Sequence, residues 1–289
     1  MSQETAGMIV AGLAALAAGL ILLRSRLTRA SNTDRILLLG PVFSAVALAI
    51  FAFEHFLAAA DLAPIVPHYL PFPLFWTYFV GVALLAAAIS FIAWRYVRLS
   101  ASLLTLLFLI IVATVDMPNL PASLHDRFFW ILTVRETAFA SGATILAVSQ
   151  SPGSRTASLL AQVARVALAC IFVFYAVQQF LHPHNVPGVP LEKIIPAWFP
   201  TPVLLSDLVG LTLLVAGPCL LLPRTRALAA ATAGSVLTLL TVFFYIPILI
   251  LEVHTPLAVE GVNYVGDTLL FAATALLAGF TPNHPPTNQ

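Results

Sequence analysis

Apolar runs of about 20 residues, the length a helix needs to cross the hydrocarbon of a bilayer, recur nine times along the chain. They occupy residues 6–23, 36–57, 74–94, 99–115, 129–149, 158–181, 202–222, 227–250 and 263–281. The pattern predicts an all-α polytopic transmembrane bundle of about nine spans. Pro41, Pro218 and Pro247 fall inside runs and predict kinks, because neighbouring helices can satisfy the carbonyls that proline frees. In the first run Ala11, Ala15 and Gly19 recur every four residues, so this helix is expected to pack closely on the others.

Charged positions between the runs fix an orientation. Loops on one side hold Arg24, Arg26, Arg29, Arg35, Arg95, Arg98, Arg155, Arg224 and Arg226, and loops on the other hold Arg127 and Lys193. The positive-inside rule places the first set in the cytoplasm, the N-terminus outside and residues 282–289 inside as a short tail. An inner (cytoplasmic) membrane is the expected location. No basic residue precedes the first run, so it reads as a retained helix and not as a secretory signal.

Composition narrows the function classes. The chain is 60% hydrophobic and 9% charged, with a mean hydropathy of +0.99, which identifies the lipid bilayer as its main partner. A net charge of +1 excludes nucleic acid, whose phosphates need a concentrated basic surface. Cys170 and Cys219 form no C-x-x-C pair, which argues against dithiol chemistry. No dinucleotide fingerprint, P-loop or nucleophile elbow stands in a usable loop, so no nucleotide cofactor is expected.

The runs also repeat. "PHYLPFPLFWTYFVG" from Pro67 and "PAWFPTPVLLSDLVG" from Pro196 share the frame P-x3-P-x-P-x7-G, 129 residues apart. At the same offset Arg95 meets Arg224 and His125 meets His254. "EHFL" at Glu54 matches "QQFL" at Gln178 if the second loop is five residues longer, and "ETAFASGATILA" from Glu136 aligns with "DTLLFAATALLA" from Asp267 at an offset of 131. Two parallel four-helix repeats follow one extra N-terminal helix on this reading. The divisions are 1–33 for that helix and its basic loop, 34–152 and 153–281 for the repeats, and 282–289 for the tail.

A helix ending in an "EHFL" turn, then "VPHYLPFPLFWTYFVG" and an "ALLAAAIS" helix, resembles the DoxX family of membrane proteins, in two copies from about residue 34 to 281. The resemblance implies a redox-associated membrane subunit, since members include a small subunit associated with thiosulfate:quinone oxidoreductase. A redox enzyme subunit as partner and quinone as ligand follow from it. The second copy departs where Glu54 and His55 become Gln178 and Gln179.

Ionisable groups at membrane depth mark functional positions by default, because each costs several kcal/mol there. The outer-half polar pocket is expected to draw on Glu54, His55, Arg135, Glu136, Gln178, Asp207 and Asp267. Arg135 and Glu136 project about 100° apart on a helix, so Arg135 is expected to pair with Glu54 across the bundle. Asp207 and Asp267 have no membrane-embedded base in the outer part of the second half, only loop residue Lys193 nearby, and Arg165 is expected to snorkel to the cytoplasmic side. Trp76, Tyr78 and Trp198 either form an interfacial belt or wall a quinone groove. His182 and His184 are weak metal ligands, and no facing histidine pair exists for haem. Two other functions stay open beside the redox reading: a small-molecule or ion carrier, and a structural anchor for a soluble partner.

Overall fold

The computed structural model describes residues 1–151, 153–189 and 192–281; the short tail therefore lies outside the described residues. Among the described residues nine long helices form the bundle: α1 (Gln3–Leu27), α2 (Asn32–Leu57), α3 (Pro73–Ala93), α4 (Val97–Ser123), α5 (Arg127–Ser149), α6 (Arg155–Leu181), α7 (Pro202–Leu221), α8 (Arg226–Glu252) and α9 (Ala258–Leu277). Among the described residues there is no β-strand, only one isolated bridge between Asn185 and Ile194. The first eight helices are long and apolar enough to cross a membrane, which makes the chain a multi-pass membrane protein.

The ninth helix falls short of that standard for a structural reason. Glu260, Asn263 and Asp267 lie in its first half, while its residues from Gly266 to Leu277 are all buried. A helix enclosed by protein has no need to be uniformly apolar. α9 is the centre of the bundle: it packs against α2, α5 and α8, and touches α1. α1 packs along α2, with Ala11, Ala15 and Gly19 buried, as the small-residue stripe leads one to expect. A β-carbon at Gly19 would sit 2.6 Å from Val42.

Element boundaries recur at the offset of 129. α3 and α7 begin at Pro73 and Pro202, and α4 and α8 continue as regular α-helix over Val97–Ile111 and Arg226–Leu240. Each then passes through a π-helical turn, Val112–Asp116 in α4 and Thr241–Tyr245 in α8, before a last α-helical stretch. The cause is Pro118 and Pro247, the same position in both. A proline lacks the N–H that would bond residue i−4 and its ring presses on that carbonyl; inserting one residue relieves both. Pro41 acts more locally, with α2 interrupted at Leu38.

Packing repeats as well. A β-carbon at Gly81 would lie 2.9 Å from His55 Cβ and 2.7 Å from Phe56, and one at Gly210 would lie 3.1 Å from Gln179 Cβ and 3.0 Å from Phe180. The glycine that ends the P-x3-P-x-P-x7-G frame is thus where α3 and α7 close onto α2 and α6.

The two connections before these helices differ. Residues 58–72 make a short helical turn at Ala59–Leu62 and a 3₁₀ turn at Ala63–Ile65. The second connection, 182–201, is five residues longer, and its stretch 186–189 folds inward: Val186 and Val189 are fully buried, and the Tyr245 hydroxyl donates to Pro187 O. Gly188 has φ +98°, and a β-carbon there would stand 3.1 Å from Leu240 and 3.6 Å from Thr268. Thr268 is ten residues into α9, roughly 15 Å from its start. Irregular backbone at that depth is tolerated only when enclosed by protein, and here α8 and α9 enclose it.

Arg165 does not snorkel. It is 5% exposed, and its Nε donates to Ala278 O at 3.0 Å while Nη2 donates to Phe280 O. The carbonyls at the end of α9 lack intrahelical partners and carry partial negative charge, so they hold the guanidinium inside more favourably than an extended reach to water would.

α5 and α9 approach closely at Gly142, where a β-carbon would lie 2.8 Å from Thr274 Oγ1 and 3.1 Å from Thr274 Cα. Gly142→Leu is expected to cost about 2 kcal/mol through overpacking, read as a lower thermal midpoint of the monodisperse protein in detergent. An unchanged midpoint would show that the two helices can separate there at no cost.

Candidate functional site: a buried carboxylate cluster around Arg135

α9 presents Asn263 and Asp267, four residues apart and therefore on one face, to helices on either side. Toward α2, Asn263 Nδ2 donates to Glu54 Oε1 at 2.6 Å. Toward α5, Arg135 Nη1 donates to Asp267 Oδ2 at 2.6 Å, and Arg135 Nη2 to Glu136 Oε1 at 2.9 Å. Glu54 is 9% exposed and Asp267 8%, so the contacts sit inside the bundle. Glu54 is within electrostatic reach of both Arg135 and Asp267.

The expected pair of Glu54 with Arg135 is therefore replaced by Glu54 with Asn263 and Arg135 with Asp267. The expectation failed on two counts. It looked for partners of Asp267 only in the second half, whereas α9 lies against α5 of the first. It also took the 100° separation of Arg135 and Glu136 as prohibitive, although a long guanidinium folds back far enough to bridge its sequence neighbour.

A further acid belongs to the cluster. Asp116 closes the π-helical turn of α4, beside Thr133 and within electrostatic reach of Glu136 and Arg135. Ending the fourth apolar run at residue 115, ahead of Pro118, places Asp116 outside the membrane; the proline-induced turn carries the helix on to Ser123 instead. In the second half the same position is Tyr245, whose hydroxyl holds the inward loop. The matched proline spacing, Pro118 and Pro247, is the sequence signal that could have revealed both.

One guanidinium thus pairs with two carboxyls, Glu136 and Asp267, while Glu54 and Asp116 lie within its electrostatic reach. Two polar atoms among them, Arg135 Nε and Asn263 Oδ1, are buried without a hydrogen-bond partner. Orphaned groups of this kind are rare in native interiors and call for an explanation such as a ligand, a proton or water. Tyr175 seals one side, its hydroxyl donating to Ile131 O at 2.9 Å and its ring 5.2 Å from Phe271.

The remaining expected residues lie elsewhere. His55 is half-buried and donates from Nδ1 to Phe51 O at 2.8 Å on its own helix. Gln178 accepts from Arg127 Nε at 3.1 Å, joining the end of α6 to the start of α5. Asp207 is exposed on α7, which packs chiefly on α6 and α8. The ring of Trp76 meets Phe75 and Phe79, that of Trp198 meets Phe199 and Phe244, and Tyr78 is exposed. The aromatic residues form two separate clusters and not one groove.

His182 ends α6, where burial and then the charge of Arg127 lower its pKa, favouring the neutral imidazole; His184 is exposed. No group of three or more metal-ligating side chains occurs among the described residues. A second polar group lies near the end of the bundle that carries these histidines: Lys193 pairs with Glu252 and lies 5.4 Å from the Tyr264 ring, and the Tyr264 hydroxyl donates to Glu260.

The pairing has a measurable signature. Arg135→Gln and Asp267→Asn should couple by about 2 kcal/mol or more, since each single change strands a buried partner. Arg135→Gln and Glu54→Gln should couple by less than about 0.5 kcal/mol. Equilibrium unfolding of the three single variants, the two double variants and the parent in bicelles gives both values; the reverse order would restore Glu54 as the partner of Arg135.

A family model described as a domain of unknown function (DUF8561) matches residues 43–127, a stretch that runs from within α2 to the first residue of α5 and includes Glu54 and Asp116. No curated protein matches the chain, and no solved structure does.

Proposed function

We propose that this protein sits in the inner membrane with its N-terminus outside and exchanges protons at the Arg135 cluster, in the service of a redox partner. The observation that carries the reading is a single guanidinium, Arg135, paired with two carboxyls, Glu136 and Asp267, with two more, Glu54 on α2 and Asp116 on α4, within electrostatic reach. One guanidinium neutralises one carboxylate; the others require protons, cations or water to remain inside. Intramembrane acids in that situation are the parts from which proton relays are built.

The arginine distribution supports the orientation, which puts the cluster in the outer half. The redox element rests on the DoxX-like sequence pattern. A quinone that accepts electrons from a partner enzyme must also take up protons, and a carboxyl held beside a fixed cation can donate them. A second reading, a proton-coupled carrier, is favoured by the loop that enters to Thr268 and the paired π-helical turns, both at depths where polar paths run.

Infrared difference spectroscopy of the protein in liposomes tests the proposal. A pH jump should move a carboxyl C=O band that Asp267→Asn or Glu136→Gln removes, and a short-chain quinone should shift the same band. A band that moves with pH and with an added solute, but not with quinone, would favour the carrier. A spectrum with no titrating carboxyl would end both readings and leave a structural anchor.

A further inference from the structure

The opposite end of the bundle carries a different chemistry. Between the last turns of α1 and the start of α2 lies an open groove of about 580 Å³, lined by Leu20, Ile21, Arg24, Leu27, Thr28 and Arg35. On α1 these are positions i, i+1, i+4, i+7 and i+8, a single helical face. The face changes character along its length: Leu20 and Ile21 are exposed apolar side chains within the span, and Arg24 follows about 6 Å further on. Arg35 closes the groove from α2.

The two arginines are not engaged by acids. Arg24 has no side-chain hydrogen bond or ion pair among the described residues, and the one hydrogen bond of Arg35 uses Nε, which donates to Ala30 O at 3.0 Å. The nearby Asp34 accepts from the Ser31 hydroxyl at 2.6 Å as part of the cap of α2 and does not line the groove. Arg26 is committed elsewhere, its guanidinium 4.6 Å above the Trp94 ring. That contact ties the last turn of α1 to the end of α3.

We propose that this groove binds an anionic diacyl phospholipid, its phosphate held by Arg24 and Arg35 and an acyl chain lying along Leu20 and Ile21. Two uncommitted guanidiniums at the water boundary recognise a phosphate, for which their planar donors are suited. An apolar wall continuing into the span gives an acyl chain a place, and a free phosphate or soluble anion would leave that wall uncovered. The site is separate from the Arg135 cluster and independent of the proton-exchange reading.

Native mass spectrometry of the full chain, released from nanodiscs of mixed phosphatidylglycerol and phosphatidylcholine, reads the occupancy directly. Phosphatidylglycerol should be retained in preference, and Arg24→Gln or Arg35→Gln should each reduce that retention about fivefold. Arg98→Gln and Arg224→Gln, exposed at the same end but outside the groove, should leave it unchanged. Ile21→Trp, which fills the apolar wall and keeps both charges, should also reduce it. Three results would overturn the proposal: equal retention of the two lipids, equal losses in the control variants, or displacement of phosphatidylglycerol by inorganic phosphate alone. Retention unaffected by Ile21→Trp would likewise reject the groove in favour of diffuse surface charge.

Discussion

The contact on which the bundle depends is the bridge from Asp267 through Arg135 to Glu136. In a low-dielectric interior an isolated guanidinium or carboxylate is too costly to keep, and the two together become tolerable only at close range with their other hydrogen-bonding positions filled. That requirement places α9 against α5 with little freedom in rotation or register. Asn263, one turn earlier, applies the same condition toward α2 by serving Glu54. Gly142 then permits the backbones of α5 and α9 to come as near as the bridge demands. Arg165 closes the other end of α9 by taking up its terminal carbonyls, so the helix is held by polar contacts at both ends and by apolar packing between.

Much of this architecture was legible in the chain. Helix number and approximate extent followed from run length alone, because the bilayer admits few alternatives to a continuous apolar helix. The small residues of α1 announced its tight packing on α2. The repeated proline and glycine frame pointed to the contacts of Gly81 with Phe56 and of Gly210 with Phe180. What escaped was decided by which helices are neighbours, and no periodicity encodes that. Asp267 looked stranded because its partner belongs to the other half, and Arg165 looked destined for water because the carbonyls that hold it come from the far end of the sequence.

The site was half legible for a related reason. Glu54, Arg135, Glu136 and Asp267 stand out as ionisable groups at depth, whereas Asp116 hid behind Pro118, which marks a helix end in a soluble protein and only a π-helical turn here. Asp207 shows the opposite error: an acid in an apolar run that faces outward near a helix start. The halves diverge at matched places. Asp116 in one is Tyr245 in the other, Glu54 and His55 become Gln178 and Gln179, and the five extra residues of the second connection supply the inward loop. At these matched positions the first stretch carries Glu54 and Asp116, and the second carries Gln178 and the Tyr245 hydroxyl that holds the inward loop.

The composition of α9 bears on how the chain is made. An aspartate near a helix centre opposes partition into lipid by about 3 kcal/mol on insertion scales, and Glu260 and Asn263 add to that opposition. Such a segment gains entry by meeting partners already in the membrane, here Glu54 on α2 and Arg135 on α5. The earlier helices therefore act as an internal docking site for α9, and Arg135, with only its neighbour Glu136 beside it on α5, gains Asp267 when α9 packs. The polar groups that oppose the entry of α9 into lipid are thus the ones that fix its place among α2 and α5.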